Sequence, residues 1–98
     1  MTKRIVDSKK YDSFIDVRAD EGGLQRTRYK FENSFGASVI YGPGSFGLEL
    51  AVIRYNKDGS WDIDYSTDIT DDVVGRLTPD ELDNLLGRIQ ALDGGDNE

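Results

Sequence analysis

The sequence predicts an α+β fold, an antiparallel sheet of about five strands with one C-terminal helix packed across a face. Between residues 14 and 65, short segments that alternate apolar and polar residues are separated by glycine-containing turns, which is typical of β-hairpins. Residues 78–92 instead repeat leucine and isoleucine at helical spacing behind a capping signal. The 98 residues are enough for a single domain, and we expect flexible ends over residues 1–10 and 94–98.

The first predicted hairpin joins residues 14–19 to residues 26–31 across a turn at residues 20–23. In its first strand, alternation predicts that Ile15, Val17 and Ala19 share one face. The second strand alternates more strictly. Its apolar face carries Thr27, Tyr29 and Phe31, and its basic face carries Arg26, Arg28 and Lys30. We expect the aromatic side chains to join the core and the basic stripe to pair with acids of a neighbouring strand.

Three more strands complete the predicted sheet. Residues 37–41 form one, and residues 48–55, the most apolar run, form a central strand that is buried on both faces. An Asp-Gly turn at residues 56–59 favours a hairpin whose return strand covers residues 60–65. On that strand we expect Trp61, Ile63 and Tyr65 to face the core and the acidic residues to face water. Residues 68–77 are predicted to be irregular.

The helix has the most complete set of signals. Thr78 is predicted as its N-cap, Pro79 as its first residue and Glu81 as the partner that closes a capping box. Five apolar residues then follow the helical spacing, namely Leu82, Leu85, Leu86, Ile89 and Leu92. The glycines that follow Asp93 are predicted to end the helix. An isolated helix of this length is marginal in water, so its apolar stripe must be buried against the sheet.

Composition excludes several classes of function. The chain has no Cys and no His, so it has no thiol nucleophile, no disulfide, no usual zinc site and no imidazole base. We therefore expect a protein that is not an enzyme and needs no cofactor. No apolar run approaches the ~20 residues that span a bilayer, and the first residues do not resemble a signal peptide. These features predict a cytoplasmic protein without a membrane partner.

The glycine-rich loop at residues 42–47 matches the dinucleotide-binding pattern GxGxxG in its letters. That pattern requires a helix after the loop, whereas residues 48–55 are predicted to be a strand. We interpret the glycines as forming a tight loop anchored by the aromatic ring of Phe46. The loop, together with Tyr41 and Phe46, still leaves open an alternative function, a small-molecule or nucleotide-binding module.

Metal binding is not expected. Asn56, Asp58 and Ser60 imitate the first three ligands of a calcium loop, but Trp61 occupies the place of the required glycine.

Negative charge is concentrated in the second half of the chain. Residues 1–50 carry a net charge of +1 and residues 51–98 a net charge of −8, which together give the −7 of the whole chain. Six aspartates and no base lie between residues 58 and 72. They are the predicted partner-binding residues: Asp58, Asp62, Asp64, Asp68, Asp71 and Asp72.

Crowded carboxylates repel one another, so such a surface suits a cationic partner. We expect these residues to imitate the phosphates of DNA against a basic surface of a host protein or ribonucleoprotein. The isoelectric point near 4.5 opposes direct binding of nucleic acid. The competing interpretation is a solvated acidic face that only maintains solubility.

Four segments of the chain support a resemblance. They are FENSFGASVI at residues 31–40, GP and FG in the loop at 42–47, LAV at 50–52, and YSTDITDDVVGRLT at 65–78. Through them residues 29–92 resemble a group of small bacteriophage accessory proteins. The resemblance implies a phage or prophage origin, and it carries no catalytic residue over to this chain. By analogy with small acidic phage proteins, we expect an anti-CRISPR-type inhibitor of a host defence nucleoprotein complex, acting in the cytoplasm of the infected host. A structural or assembly role is a further alternative.

Overall fold

The structure, a computed structural model, describes residues 5–64, 69 and 74–92. Five antiparallel strands form one sheet in the order in which they occur along the chain. They are β1 (Ile15–Glu21), β2 (Leu24–Lys30), β3 (Phe35–Tyr41), β4 (Glu49–Tyr55) and β5 (Trp61–Ile63). The helix α1 (Pro79–Gln90) packs across β3, and a short 3₁₀ turn (Asp12–Phe14) precedes β1. The predicted α+β fold is confirmed.

The first two turns of the sheet depend on glycine in different ways. Gly22 and Gly23 form the two-residue turn between β1 and β2 with φ angles of 57° and 87°, which suit the twist of a hairpin. At Gly36 in β3 the requirement is space, because a Cβ atom there would lie 2.0 Å from the carbonyl oxygen of Tyr29. Glycine at that position therefore lets β2 and β3 approach closely.

The core lies between α1 and one face of the sheet, which we call the helix side. Residues of the three central strands and of the helix fill it: Thr27, Tyr29, Phe35, Ala37, Val39, Leu50, Val52, Leu82, Leu86 and Ile89. Leu85 and Leu92 are partly buried against this cluster, so the predicted helical stripe is confirmed. β4 is buried on both faces, as predicted, since Ala51 and Ile53 are covered as well.

The capping box at the start of α1 is also confirmed. The Glu81 backbone N–H donates to Thr78 Oγ1 at 3.1 Å, and the Thr78 N–H donates to Glu81 Oε1 at 2.8 Å. At the other end α1 stops at Gln90, and the residues predicted to end it (93–95) lie outside the described residues. The side-chain amide of Asn33 donates to the carbonyls of Ile89, Gln90 and Leu92. A residue from a distant turn thus satisfies carbonyls that the helix end leaves free.

A bulge in β1 changes which of its residues face the core. Ile15 pairs with Tyr29 while Val17 pairs with Arg28, so Asp16 is an extra residue in the ladder. Ile15 therefore lies on the helix side, and Val17 lies on the opposite face. The prediction of a common face was wrong, because strict alternation assumes a strand without a bulge.

The two described apolar residues of β5 do not face the helix. Trp61 pairs with Tyr55 and Ile63 pairs with Ile53, on the face opposite to the helix side. Their exposed fractions are 36% and 39%, so the prediction that they join the core was wrong. Alternation shows which residues share a face, but it does not show which face the helix covers. Tyr65 lies outside the described residues.

Residues 5–11 pack against the core, which differs from the flexible segment expected over residues 1–10. Val6 and Ser8 are buried. The buried hydroxyl of Tyr29 accepts a hydrogen bond from the Ser8 N–H at 2.7 Å and donates to the Val6 carbonyl at 2.6 Å. The Ser8 hydroxyl donates to Asp83 on α1 at 2.6 Å. The segment is held because a buried phenol needs polar partners, which composition alone does not reveal. Over the described residues, the structure contains no helix with the length and apolar character of a membrane span.

Candidate functional site

The described part of the aspartate cluster follows the β4–β5 hairpin and the outermost strand of the sheet. We call Asp58, Asp62 and Asp64 the acidic edge. Asp58 lies in the hairpin turn, Asp62 lies within β5, and Asp64 follows directly after it. The Asp64 N–H donates to the Val52 carbonyl at 2.8 Å, so the strand geometry continues to this residue. The other predicted site residues, Asp68, Asp71 and Asp72, lie outside the described residues.

Asp58 organises the turn and keeps its charge. Its Oδ1 accepts hydrogen bonds from the Ser60 N–H at 2.9 Å and from the Ser60 hydroxyl at 2.6 Å. These hydrogen bonds favour the ionised form, and they lower the pKa of the Asp58 carboxyl below its usual value. The side-chain amide of Asn56 also donates to the Ser60 hydroxyl. The three residues whose spacing imitates calcium ligands, Asn56, Asp58 and Ser60, are therefore joined by hydrogen bonds to one another.

Asp62 is exposed and lies opposite Arg54 in the β4–β5 ladder. The guanidinium of Arg54 lies 5.2 Å from the centre of the Phe35 ring, a cation–π contact. The Asp62 carboxylate instead accepts a hydrogen bond from the Asn56 amide at 3.2 Å. Within the described part of the chain, neither Asp58 nor Asp62 forms an ion pair. Both carboxylates can therefore meet an external cation, whereas the half-buried Asp64 has an interaction within the protein.

Asp62 and Asp64 are two residues apart on one strand, so their side chains share a face at a spacing of about 7 Å. The structure places them on the helix side of the sheet, along its outer border, because Asp62 pairs with Arg54. Exposed carboxylates spaced along an edge form a negative strip that opposes the positive charge of a basic groove. The described residues of the acidic edge can therefore bind cationic groups.

The predicted basic stripe of β2 lies on the opposite face of the sheet, as expected. Arg28 is 3.6 Å from the Asp16 carboxylate in the bulge of β1, so the predicted pairing with an acid of a neighbouring strand is confirmed for this residue of the stripe. Its guanidinium also lies 5.2 Å from the centre of the Trp61 indole. The Lys30 ammonium lies 4.9 Å from the centre of the Tyr55 ring. The aromatic rings of Trp61 and Tyr55 thus contact the cations of Arg28 and Lys30 in this stripe.

The glycine-rich loop is closed by its own serine. The Ser45 hydroxyl accepts a hydrogen bond from the Gly42 N–H at 3.0 Å and lies 2.8 Å from the carbonyl oxygens of Gly42 and Gly47. The Phe46 ring is 65% exposed, so the interpretation of the loop as anchored by this ring was wrong. A strand, β4, follows the loop, which agrees with rejecting a dinucleotide site. Because Ser45 occupies these backbone groups, the loop gives little support to the alternative of a nucleotide-binding module there.

Sequence reasoning missed a second polar feature, a cleft between the two hairpin ends that carry Lys30 and Lys57. The sequence shows only Lys30 directly before the first turn and Lys57 within the second. That the two residues come close together depends on the register of the sheet, which the sequence does not show. Comparison with protein-family models, curated proteins and solved structures finds no match to this chain. The function is therefore inferred from the geometry and charge of these two features.

Proposed function

We propose that the protein is a non-catalytic inhibitor that binds a basic, nucleic-acid-binding surface of a host nucleoprotein complex through its acidic edge. One observation carries the proposal. Asp58 and Asp62 are exposed and free of ion pairs within the described residues, in a stretch of chain that holds six aspartates and no base. Surface acids that only maintain solubility are usually interspersed with bases.

Repulsion among neighbouring carboxylates destabilises the free protein, and a cationic partner removes that repulsion when it binds. Lysine and arginine side chains that normally meet phosphates would meet these carboxylates instead. Long-range attraction between opposite charges raises the association rate, and salt screens it over a distance of ~8 Å at physiological ionic strength. Binding should therefore weaken steeply as salt is added.

The resemblance of residues 29–92 to small phage accessory proteins favours a partner class. Defence complexes such as CRISPR effectors hold nucleic acid in positively charged channels, which are the kind of surface that an acidic edge fits. We propose that the protein acts on such a complex in the cytoplasm of an infected bacterium.

The test compares two double variants that remove the same charge. Asp58→Asn with Asp62→Asn changes the acidic edge, and Asp12→Asn with Glu21→Gln changes exposed acids of the N-terminal region. Wild-type protein serves as bait at low salt in a bacterial lysate, and the captured complex is then titrated with each variant. We expect the edge variant to bind about tenfold more weakly or worse, since close charge pairs at interfaces are worth a few kcal/mol. The control variant should bind like the wild type.

Two outcomes would reject the proposal. One is an edge variant that blocks nucleic-acid binding by the captured complex as well as the wild type does. The other is an equal loss in both double variants, because that would show an effect of net charge rather than of the acidic edge.

A further inference from the structure

A cleft of about 640 Å³ opens where the β2–β3 turn and the β4–β5 hairpin lie side by side at one end of the sheet. Residues from two segments line it, 30–34 and 54–57. The Tyr55 N–H donates to the Ser34 carbonyl at 2.8 Å and holds the two segments together. Ser34 has a φ angle of 73°, a left-handed conformation that a residue other than glycine adopts at a cost in stability.

The charge of this cleft is opposite to that of the whole protein. Lys30, Arg54 and Lys57 line it together with a single acid, Glu32, which gives a net charge of +2 within a chain of net charge −7. None of the three cations forms an ion pair within the described residues. Lys30 and Arg54 lie over aromatic rings, and among the residues that the structure describes neither side chain donates a hydrogen bond.

We propose that this cleft binds a small phosphomonoester. A phosphomonoester carries a charge of about −1.5 to −2 at pH 7, which matches the net charge of the lining. The cations reach the cleft from both faces of the sheet: Arg54, on the helix side, offers a planar fork to phosphate oxygens, whereas Lys30, on the opposite face, offers a point charge. Lys57 offers a second point charge from the turn. The volume of the cleft falls within the ~300–1,000 Å³ of small-molecule sites, so it accommodates a sugar or nucleoside as well as the phosphate.

A small ligand fits the charge distribution better than a polynucleotide does. A compact anion can contact the cations of the cleft without extending along the hairpin towards Asp58 and Asp62. A long polyanion bound at the cleft would run past Asp58 and Asp62, which lie on the same hairpin as Arg54 and Lys57. Those carboxylates would repel it.

The experiment follows backbone amides by NMR as inorganic phosphate, ribose 5-phosphate or adenosine 5′-monophosphate is added at constant ionic strength. We expect saturable shifts at residues 34 and 55–57, with tighter binding of the two organic phosphates than of inorganic phosphate. Lys57→Gln, in an exposed turn, should weaken binding about tenfold, the scale of one charge-assisted hydrogen bond. Lys30→Gln provides a second variant with the same expectation. Arg88→Gln, which removes an exposed cation from α1, should bind like the wild type.

The proposal is overturned if none of the three probes produces saturable shifts at these amides. It is also overturned if Arg88→Gln weakens binding as much as the cleft variants, or if a DNA oligonucleotide without a terminal phosphate binds there more tightly than any probe. The acidic-edge variant Asp58→Asn with Asp62→Asn should keep phosphate binding. Failure at the cleft is therefore distinguishable from failure of the proposed inhibitor function.

Discussion

The hydroxyl of Tyr29 links the N-terminal segment to the sheet, and its removal is the most direct test of how this fold is stabilised. The Tyr29 side chain is fully buried, and its hydroxyl bonds to the Ser8 N–H and to the Val6 carbonyl. Tyr29→Phe keeps the aromatic ring and most of its packing. It leaves one backbone donor and one backbone acceptor buried without their partner.

The expected loss follows from the number of groups left unpaired. An unsatisfied buried polar group costs about 1–3 kcal/mol, so the two groups together should lower the free energy of unfolding by about 2–6 kcal/mol. That is a large part of the roughly 5–15 kcal/mol that stabilises a typical domain. For a domain of this size, a loss of about 3 kcal/mol corresponds to a decrease in Tm of about 10–25 °C.

Urea denaturation followed by tryptophan fluorescence measures the change, with Tyr41→Phe as the matched control. Tyr41 is 41% exposed, and its hydroxyl has no hydrogen-bond partner among the described residues, so its loss should cost less than about 0.5 kcal/mol. If the two variants lose the same small amount, the Tyr29 hydroxyl does not hold the N-terminal segment, and the reasoning is refuted.

Three further predictions concern other stabilising contacts. Burial raises the pKa of Tyr29 to about 12 and also raises the pKa of Tyr55. The pKa of an unfolded tyrosine is near 10. The stabilisation that these buried, neutral phenols give the folded state should therefore be intact below pH 10 and be lost as the pH rises from 10 to about 12. Denaturation at several pH values tests this, and a flat profile above pH 10 contradicts it. Gly36→Ala should lower stability by about 3 kcal/mol or prevent folding, since the added methyl group meets a backbone oxygen; a Tm within a few degrees of the wild type would show that the strands can separate. Asn33→Ala should cost about 1–2 kcal/mol, because the carbonyls at the helix end lose their donor. Calorimetry measures that loss, and an unchanged Tm would show that water replaces the amide.

The helix was predictable because its signals are local. Thr78, Pro79 and Glu81 lie within four residues, and the leucine stripe that follows depends only on helical geometry. The turns at Gly22-Gly23 and at Gly59 were predictable for the same reason, since positive φ is a property of single residues.

The failures involve contacts between distant parts of the chain. The bulge at Asp16 shifts the face of every later residue in β1, and its sequence carries no sign of this. The orientation of Trp61 depends on which side α1 covers, and Asn33 contacts Ile89 across 56 positions. Pairwise alternation cannot predict any of these, because each requires the assembled tertiary structure.

The two candidate sites also differ in whether the sequence alone reveals them. The acidic edge is visible in the sequence as a run of aspartates, and the structure adds that Asp58 and Asp62 are exposed without ion pairs among the described residues. The cleft is not visible in the sequence, because Lys30 and Lys57 are 27 positions apart and meet only through the pairing of β2, β3 and β4. Charge density is a property of the chain, whereas a binding cavity is a property of the fold.

The sequential order of the strands has a consequence for how the molecule opens. Every strand pairs with its neighbour in the chain, so the sheet can assemble hairpin by hairpin with short loops to close. The hydrogen bond from Ser8 to Asp83 instead closes a loop of 75 residues, and it joins the N-terminal segment to the helix. Native-state hydrogen exchange should therefore show the amides of residues 6–8 and of α1 opening together at a lower free energy than those of β3 and β4, as one cooperative unit that detaches from a persistent sheet.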